Sequence, residues 1–205
     1  MTHQLACELR DSTATDIAGI AEIYGYWVEH GLASFELTPP SVTNVGERRT
    51  SILSDGFPYL VAAESDGRVL GYAYASWYRE RPGYRFTCEN SVYVAPGAMR
   101  RGVGTKLLAR LVTRCTALEM RIMVAVIGDS GNHASIALHR RVGFEQTGVL
   151  PSIGWKHGRW LDAVLMVRRL GEGNTTPPKE HGRLLTTAYS VEAKVLGAAR
   201  VSHDG

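Results

Sequence analysis

The residues with the clearest chemical pattern lie between Ser91 and Leu108. An apolar, β-branched strand ending Val92-Tyr93-Val94 runs into Ala95-Pro96-Gly97. Met99-Arg100-Arg101-Gly102-Val103-Gly104-Thr105-Lys106 follows, and a strongly periodic helix begins. This order puts bare backbone N–H groups at a helix N-terminus, next to positive charge. Such a terminus suits a phosphate or pyrophosphate. The amides of Arg101, Gly102, Val103, Gly104 and Thr105 are the candidate donors, and Arg100 adds charge. Glycine lets the backbone approach a ligand closely. Taken alone, the same residues also fit an ordinary glycine turn with a solvated basic pair.

Two residues before this run stands Glu89. Strand alternation puts Thr87, Glu89, Ser91 and Tyr93 on one face, and Cys88, Asn90, Val92 and Val94 on the other. Burial of a carboxylate in mid-strand raises its pKa toward that of a general base. The alternative is a solvent-facing charge on a half-exposed sheet. His139 lies seven residues after Asn132, about two helical turns, so the two share a face. A histidine near its ordinary pKa can give up a proton at neutral pH. Asn132 is either a ligand contact or a helix N-cap. Cys88 is a poor nucleophile candidate, because alternation points it away from Glu89 and no base lies near it in sequence.

These residues need elements to position them. Thr13-Ala-Thr-Asp16 has the form of a capping box, with Asp in place of Glu. Ile17, Ile20, Ala21, Tyr24 and Val28 follow at helical spacing. A second helix is expected from Val42 to Leu53. Strands are expected at Tyr59–Ala63, Val69–Trp77 and Phe86–Val94, with an Asp66-Gly67 hairpin turn between the first two. Val103, Leu107, Leu108, Leu111, Val112, Cys115 and Leu118 form one apolar helical stripe. The apolar run Ile122–Ile127 predicts a strand covered on both faces. A short helix over Asn132–Val142 ends at Gly143, a C′ glycine by position. Phe144–Leu150 and Trp160–Val167 read as the last strands. With a first strand before Asp11, the order is one mixed α/β domain over residues 1–170. There is no GxGxxG after the first strand and no Walker lysine after these glycines, so a doubly wound nucleotide fold is excluded. Residues 171–205 open on Gly171-Glu-Gly-Asn-Thr-Thr-Pro-Pro178 and read as a mostly disordered tail, with a weak helix around Val191–Val201.

A net charge of +3 without a basic stripe argues against a nucleic-acid partner. No apolar run is long enough for a membrane span, and Met1–Asp11 carry no h-region of a signal peptide. The three cysteines are too few and too scattered for a disulfide framework or a CxxC metal site. The expected compartment is the cytoplasm.

The strand–turn–glycine–helix run is followed by a strand and then by Asn132-x-x-Ser135-x-x-x-His139-x-x-x-Gly143-Phe144. This order resembles the GNAT acetyltransferase superfamily. Tyr84-Arg-Phe-Thr-Cys-Glu-Asn-Ser-Val-Tyr-Val94, Val124-Ala-Val-Ile-Gly128 and Gly154-Trp-Lys-His-Gly-Arg-Trp-Leu-Asp162 resemble its phosphinothricin and methionine sulfone N-acetyltransferase branch. The resemblance covers roughly Leu9 to Leu170. One position departs from it. The family's phosphate loop usually opens on Gln or Arg, and here Met99 stands there, followed by Arg100. The lost side chain mainly supports the turn, whereas the amides do the binding.

The resemblance implies a GNAT fold: a central mixed, mostly antiparallel sheet with one splayed parallel strand pair that binds acetyl-CoA, flanked by helices. It implies acetyl-CoA as co-substrate and no metal. The backbone of Val92, Tyr93 and Val94 would pair with the pantetheine arm, and Arg100–Thr105 would cradle the pyrophosphate. Asn132 and Arg141 would also touch the cofactor. Glu89 would be the general base, and His139 would protonate the departing thiolate. Arg85 and Tyr84 would bind the substrate. Phe35 would wall its pocket, or simply pack in the core. Lys156 and His157 fall in a turn between the last two strands and have no assigned chemistry. The implied partners are a small-molecule amine and a second copy of the chain, as a homodimer. The implied activity is acetyl transfer to the α-amine of methionine sulfone, methionine sulfoximine, phosphinothricin or a similar amino acid. The alternatives are a protein or peptide N-terminal acetyltransferase and a non-catalytic acyl-CoA-binding module.

Overall fold

A computed structural model describes residues 7–179. The strands are β1 (Glu8–Asp11), β2 (Tyr59–Ala63), β3 (Val69–Trp77), β4 (Thr87–Val94), β5 (Ile122–Gly128), β6 (Glu145–Lys156) and β7 (Arg159–Arg169). The helices are α1 (Ile17–His30), α2 (Val42–Ser54), α3 (Val103–Ala117) and α4 (His133–Arg141). The seven strands form one sheet in the order β1-β2-β3-β4-β5-β7-β6. Only β4 and β5 run parallel; every other neighbour is antiparallel. This is the mixed α/β sheet that the order of elements predicts, with the single parallel pair that the resemblance implies.

Each face of the sheet buries its own cluster. Leu107, Leu108, Leu111 and Cys115 of α3 are fully buried against Leu60, Leu70, Ala73 and Cys88. On the opposite face Ile20 and Ile23 of α1 and Val45 of α2 meet Val61, Tyr59 and Tyr72. Successive residues of β2 serve opposite clusters, as a period of two demands. Burying a side chain of leucine size contributes about 1.5–3 kcal/mol, so the α3 stripe is a main support of the fold.

Several element boundaries differ from the sequence expectation. The last hairpin is longer than expected, because β6 reaches Lys156 and β7 begins at Arg159, leaving only His157-Gly158 as the turn. Both turn residues have positive φ, 48° and 73°. Residues 171–179 do not leave the domain. Arg121 donates to the carbonyl oxygens of Gly173 and Thr176, and Lys179 pairs with Glu119. The rest of the expected tail, with the helix around Val191–Val201, lies outside the described residues. Among the described residues, no helix is long and apolar enough to cross a membrane.

The start of α1 is held by a buried carboxylate. Asp16 is 3% exposed and accepts from the backbone N–H and the hydroxyl of Thr13 at 2.7 and 2.9 Å. The Thr13 hydroxyl also faces the Asp16 backbone, which closes the capping box. Arg10 of β1 grips the same carboxylate with both terminal nitrogens, at 2.7 and 2.8 Å. That guanidinium holds the Asp16 pKa down at about 2, against an ordinary 3.8. The bonds are therefore fully present above about pH 4 and are lost as pH falls toward 2. Asp16→Asn is expected to cost about 2 kcal/mol of stability at pH 7. Chemical denaturation should show the difference from the parent shrinking between pH 4 and pH 2.

Candidate active site

The site grows out of the way β4 and β5 separate. The two strands pair only at Thr87–Ile122, Cys88–Met123 and Glu89–Val124. Beyond Glu89, β4 stays with β3 as far as Val94, and β5 stays with β7 as far as Gly128. A fork therefore opens at Asn90. The N–H of Ala95 donates to Leu70 on the β3 side. By alternation, Asn90, Val92 and Val94 turn their backbone groups into the fork. One of those groups is already used. The indole N–H of Trp27 donates to Val94 O at 2.8 Å, a contact with no signal in the sequence beyond Trp27's place near the end of α1.

A cavity of about 480 Å³ lies at the fork, lined among others by Tyr24, Phe35, Glu36, Tyr74, Glu89 and His139. Glu89 is half-buried, and burial raises its carboxyl pKa while Arg79 pulls it down. Among the described residues, the lining carries two carboxylates, Glu36 and Glu89, and no Lys or Arg; Arg48 pairs with Glu36, so Glu89 is the carboxylate left to meet a cationic amine. Cys88 lies on the other face, fully buried. The neighbouring Cys115 thiol and burial push its pKa well up, so it supplies no thiolate.

His139 is 2% exposed and packs edge-on against Phe144. Its Nδ1 lies 2.8 Å from Ser135 O, a group that can only accept, so Nδ1 carries the proton. Nε2 then accepts from the Asn90 amide at 3.0 Å, and Asn90 Oδ1 is buried without a partner. Burial lowers the His139 pKa. The hydrogen bond to Ser135 O thus engages the Nδ1–H and leaves Nε2 facing Asn90. Asn132 shares the His139 face as the spacing predicts, and it also caps α4 by accepting from the Ser135 N–H at 3.2 Å.

A second cleft of about 370 Å³ continues from the first. It shares Ala33, Val92, Tyr93, Asn132 and Ser135 with it, and runs on to Val94, Met99, Arg100, Gly102, Val103, Gly104 and Arg141. The glycines have separate reasons. Gly102 sits at φ 81°, a left-handed conformation that glycine adopts without strain. At Gly104 a Cβ would lie 2.5 Å from Leu138 Cδ1 and 3.3 Å from Val94 Cγ2, so a larger residue there would have to push the Leu138 side chain aside. Arg101 and Thr105 are not among the residues lining the cleft. The Arg101 guanidinium turns to Gly97 O and toward Glu64 instead. Among the described residues, no cluster of three or more His, Cys, Asp or Glu side chains could hold a metal.

A family model described as "Acetyltransferase (GNAT) family" matches residues 26–144. The chain belongs to the GNAT acetyltransferase family. It is 51% identical over 174 residues to a phosphinothricin N-acetyltransferase of Alcaligenes faecalis, covering 85% of this chain and 88% of that protein. It is 40% identical over 174 residues to an L-methionine sulfoximine/L-methionine sulfone acetyltransferase of Pseudomonas paraeruginosa, covering 84% of this chain and 100% of that protein. A solved phosphinothricin acetyltransferase from Sinorhizobium meliloti, in complex with AcCoA, superposes with a TM-score of 0.83 at 48% identity. The match covers 87% of this chain and 96% of that one.

Two expected substrate ligands of this GNAT chain fall outside the cavity. A turn over Pro82–Tyr84 folds Arg85 back, so that its guanidinium donates to Pro82 O and lies over the Phe86 ring. Tyr84 is 43% exposed and packs edge-on against Tyr78. Phe35 does line the cavity. The hydroxyl-bearing Tyr24, Ser34, Tyr74 and Ser91 were not expected there; alternation could have flagged Ser91 but not the others.

The Gly104 geometry gives a prediction. Gly104→Ala must displace Leu138 and narrow the second cleft. The KM for acetyl-CoA is expected to rise about fivefold or more, on the scale of roughly 1 kcal/mol for a mild steric insertion. The KM for the amine should stay unchanged in steady-state assays.

Proposed function

We propose that this protein transfers the acetyl group of acetyl-CoA to the α-amine of a small amino acid or analogue by direct attack in a ternary complex. The observation that carries this reading is the continuity of the two cavities at the β4–β5 fork, with Glu89 lining the first of them. The names of the relatives supply the candidate amines: phosphinothricin, methionine sulfoximine and methionine sulfone. The pyrophosphate of acetyl-CoA would rest on the start of α3, beside Arg100, Gly102, Val103 and Gly104. Its pantetheine arm would use the backbone groups of β4 that face the fork, as an added strand does. Asn132 and Arg141 border the same path.

An amine arrives protonated and cannot attack a thioester. Glu89, ionised but with its pKa raised, takes the first proton directly or through a water. The nitrogen attacks the acetyl carbon, and a tetrahedral adduct forms with its oxygen toward the fork amides. Collapse breaks the carbon–sulfur bond. The second nitrogen proton must reach sulfur. We assign this transfer to His139, whose Nε2 accepts the proton as Asn90 turns its unpartnered Oδ1 toward it. Nδ1–H stays on Ser135 O throughout. The acylated product is neutral at nitrogen and leaves as an amide, while Glu89 releases its proton to solvent.

Thiol release from acetyl-CoA should be seen with one or more of the three candidate amines and not with short peptides. Cofactor binding without thiol release for any amine would overturn the reading in favour of a binding module. Glu89→Gln is expected to lower kcat by about 10²–10⁴-fold, with little change in acetyl-CoA affinity. The low-pH limb of kcat follows the raised Glu89 pKa, so activity falls as pH drops through it, and the limb should vanish in the variant.

We also propose that the chain forms a homodimer. The edge hairpin of β6 and β7 exposes Ile153, Trp155 and Trp160 at 55%, 55% and 63%, with Val149 and Leu150 beside them. A long apolar edge strand is an unstable surface in isolation, and a second copy would cover it. Light scattering should give twice the chain mass, and Trp160→Lys should return it to one.

A further inference from the structure

Lys156 is a buried cation that the reaction does not use. It ends β6 at 2% exposure, and its ammonium donates to the main-chain oxygen of Ser34 at 2.8 Å. Burial lowers its pKa, and the Glu36 carboxylate partly restores it. A buried lysine is costly unless its donors find partners. The partner here is a carbonyl in the irregular segment between α1 and α2, and that segment walls the cavity facing Glu89.

The same segment is seated on two glycines. At Gly128, the end of β5, a Cβ would overlap Leu32 O. At Gly154, in β6, a Cβ would overlap the Phe35 ring. On its other side, the Tyr24 hydroxyl bonds Ser34 Oγ and Glu36 Oε1, both at 2.9 Å, and Arg48 pairs with Glu36 at 2.6 Å. Lys156 is the one side chain of the β6–β7 hairpin that hydrogen-bonds this wall.

We propose that Lys156 is a positioning residue for the amine pocket: from the end of β6 it pins Ser34 O, holds the 33–36 wall on the two glycine seats, and so sets the pocket's fit to the amine. Lys156 itself does not line the cavity and touches no reacting atom. The proposal rests on the reading that the amine occupies the cavity beside Glu89.

Steady-state kinetics on the full chain test it. Lys156→Met keeps the apolar stem and leaves Ser34 O buried without a donor. The KM for the amine is expected to rise about tenfold or more, and the KM for acetyl-CoA to stay within about twofold. Lys156→Gln, which keeps a donor, should recover part of the loss. Gly154→Ala should raise the amine KM alone, because it unseats Phe35 while leaving Lys156 in place. Gly148→Ala, on the same strand with open space around it, should change neither KM. An unchanged amine KM in Lys156→Met, beside a raised one in Phe35→Ala, overturns the pinning role and leaves the pocket reading intact. An unchanged amine KM in Phe35→Ala overturns the pocket reading itself. Equal rises in both KM values in Lys156→Met make the residue merely structural and also overturn the proposal. Should Lys156→Met fail to fold, Gly154→Ala decides: a selective rise in amine KM supports the seat, and no rise overturns it.

Discussion

Everything in this site depends on two parallel strands that pair for three residues and then part. Pairing of β4 with β5 ends at Glu89, yet neither strand is left without a partner. Each keeps an antiparallel neighbour on its far side, which bears the cost of the missing ladder. The unpaired backbone groups of β4 then become a recognition surface. Such groups are expensive inside a protein and useful at its edge, where a ligand or water can meet them. Trp27 already covers one of them, which narrows the region left for a ligand.

The fork also explains the polar pair at its apex. Asn90 lies on the face that otherwise feeds the apolar core, and His139 comes to it from α4. Their hydrogen bond satisfies two buried groups, the Asn90 amide and His139 Nε2. The unpartnered Oδ1 of Asn90 is the exception. An unsatisfied buried acceptor costs free energy in the resting state, and it sits where a proton on Nε2 would relieve it. A turn of the Asn90 amide would let the pair meet either protonation state of Nε2.

The wall opposite Glu89 has a different construction. Residues 32–36 have no ladder and no helix to hold them. Their position comes from outside: two glycines, a tyrosine hydroxyl and the Lys156 ammonium. A loop held in this way adds no strand to the sheet it rests on. That separates the part of the site that recognises the amine from the part that carries the fork.

Much of this was legible in the sequence. Periodicity placed β2 and β3 at their observed ends, and the α3 stripe reads directly as the buried face of a helix. The glycine run and the alternation around Glu89 put a cradle and a carboxylate near one another, because both are local features of one strand and one turn. Arg85 lies outside the cavity because a single turn before β4 reverses its direction, and a side chain's heading after a tight turn is not a matter of spacing. The tautomer of His139, the roles of Trp27 and Lys156, and the seats at Gly128 and Gly154 lay beyond any local pattern. Each depends on groups brought together from distant parts of the chain, as when the end of β6 reaches Ser34. The sequence by itself determined the elements, their buried faces and the chemistry available. The tertiary structure decided which groups meet, since only the packing of one element on another sets burial, hydrogen-bond partners and hence protonation.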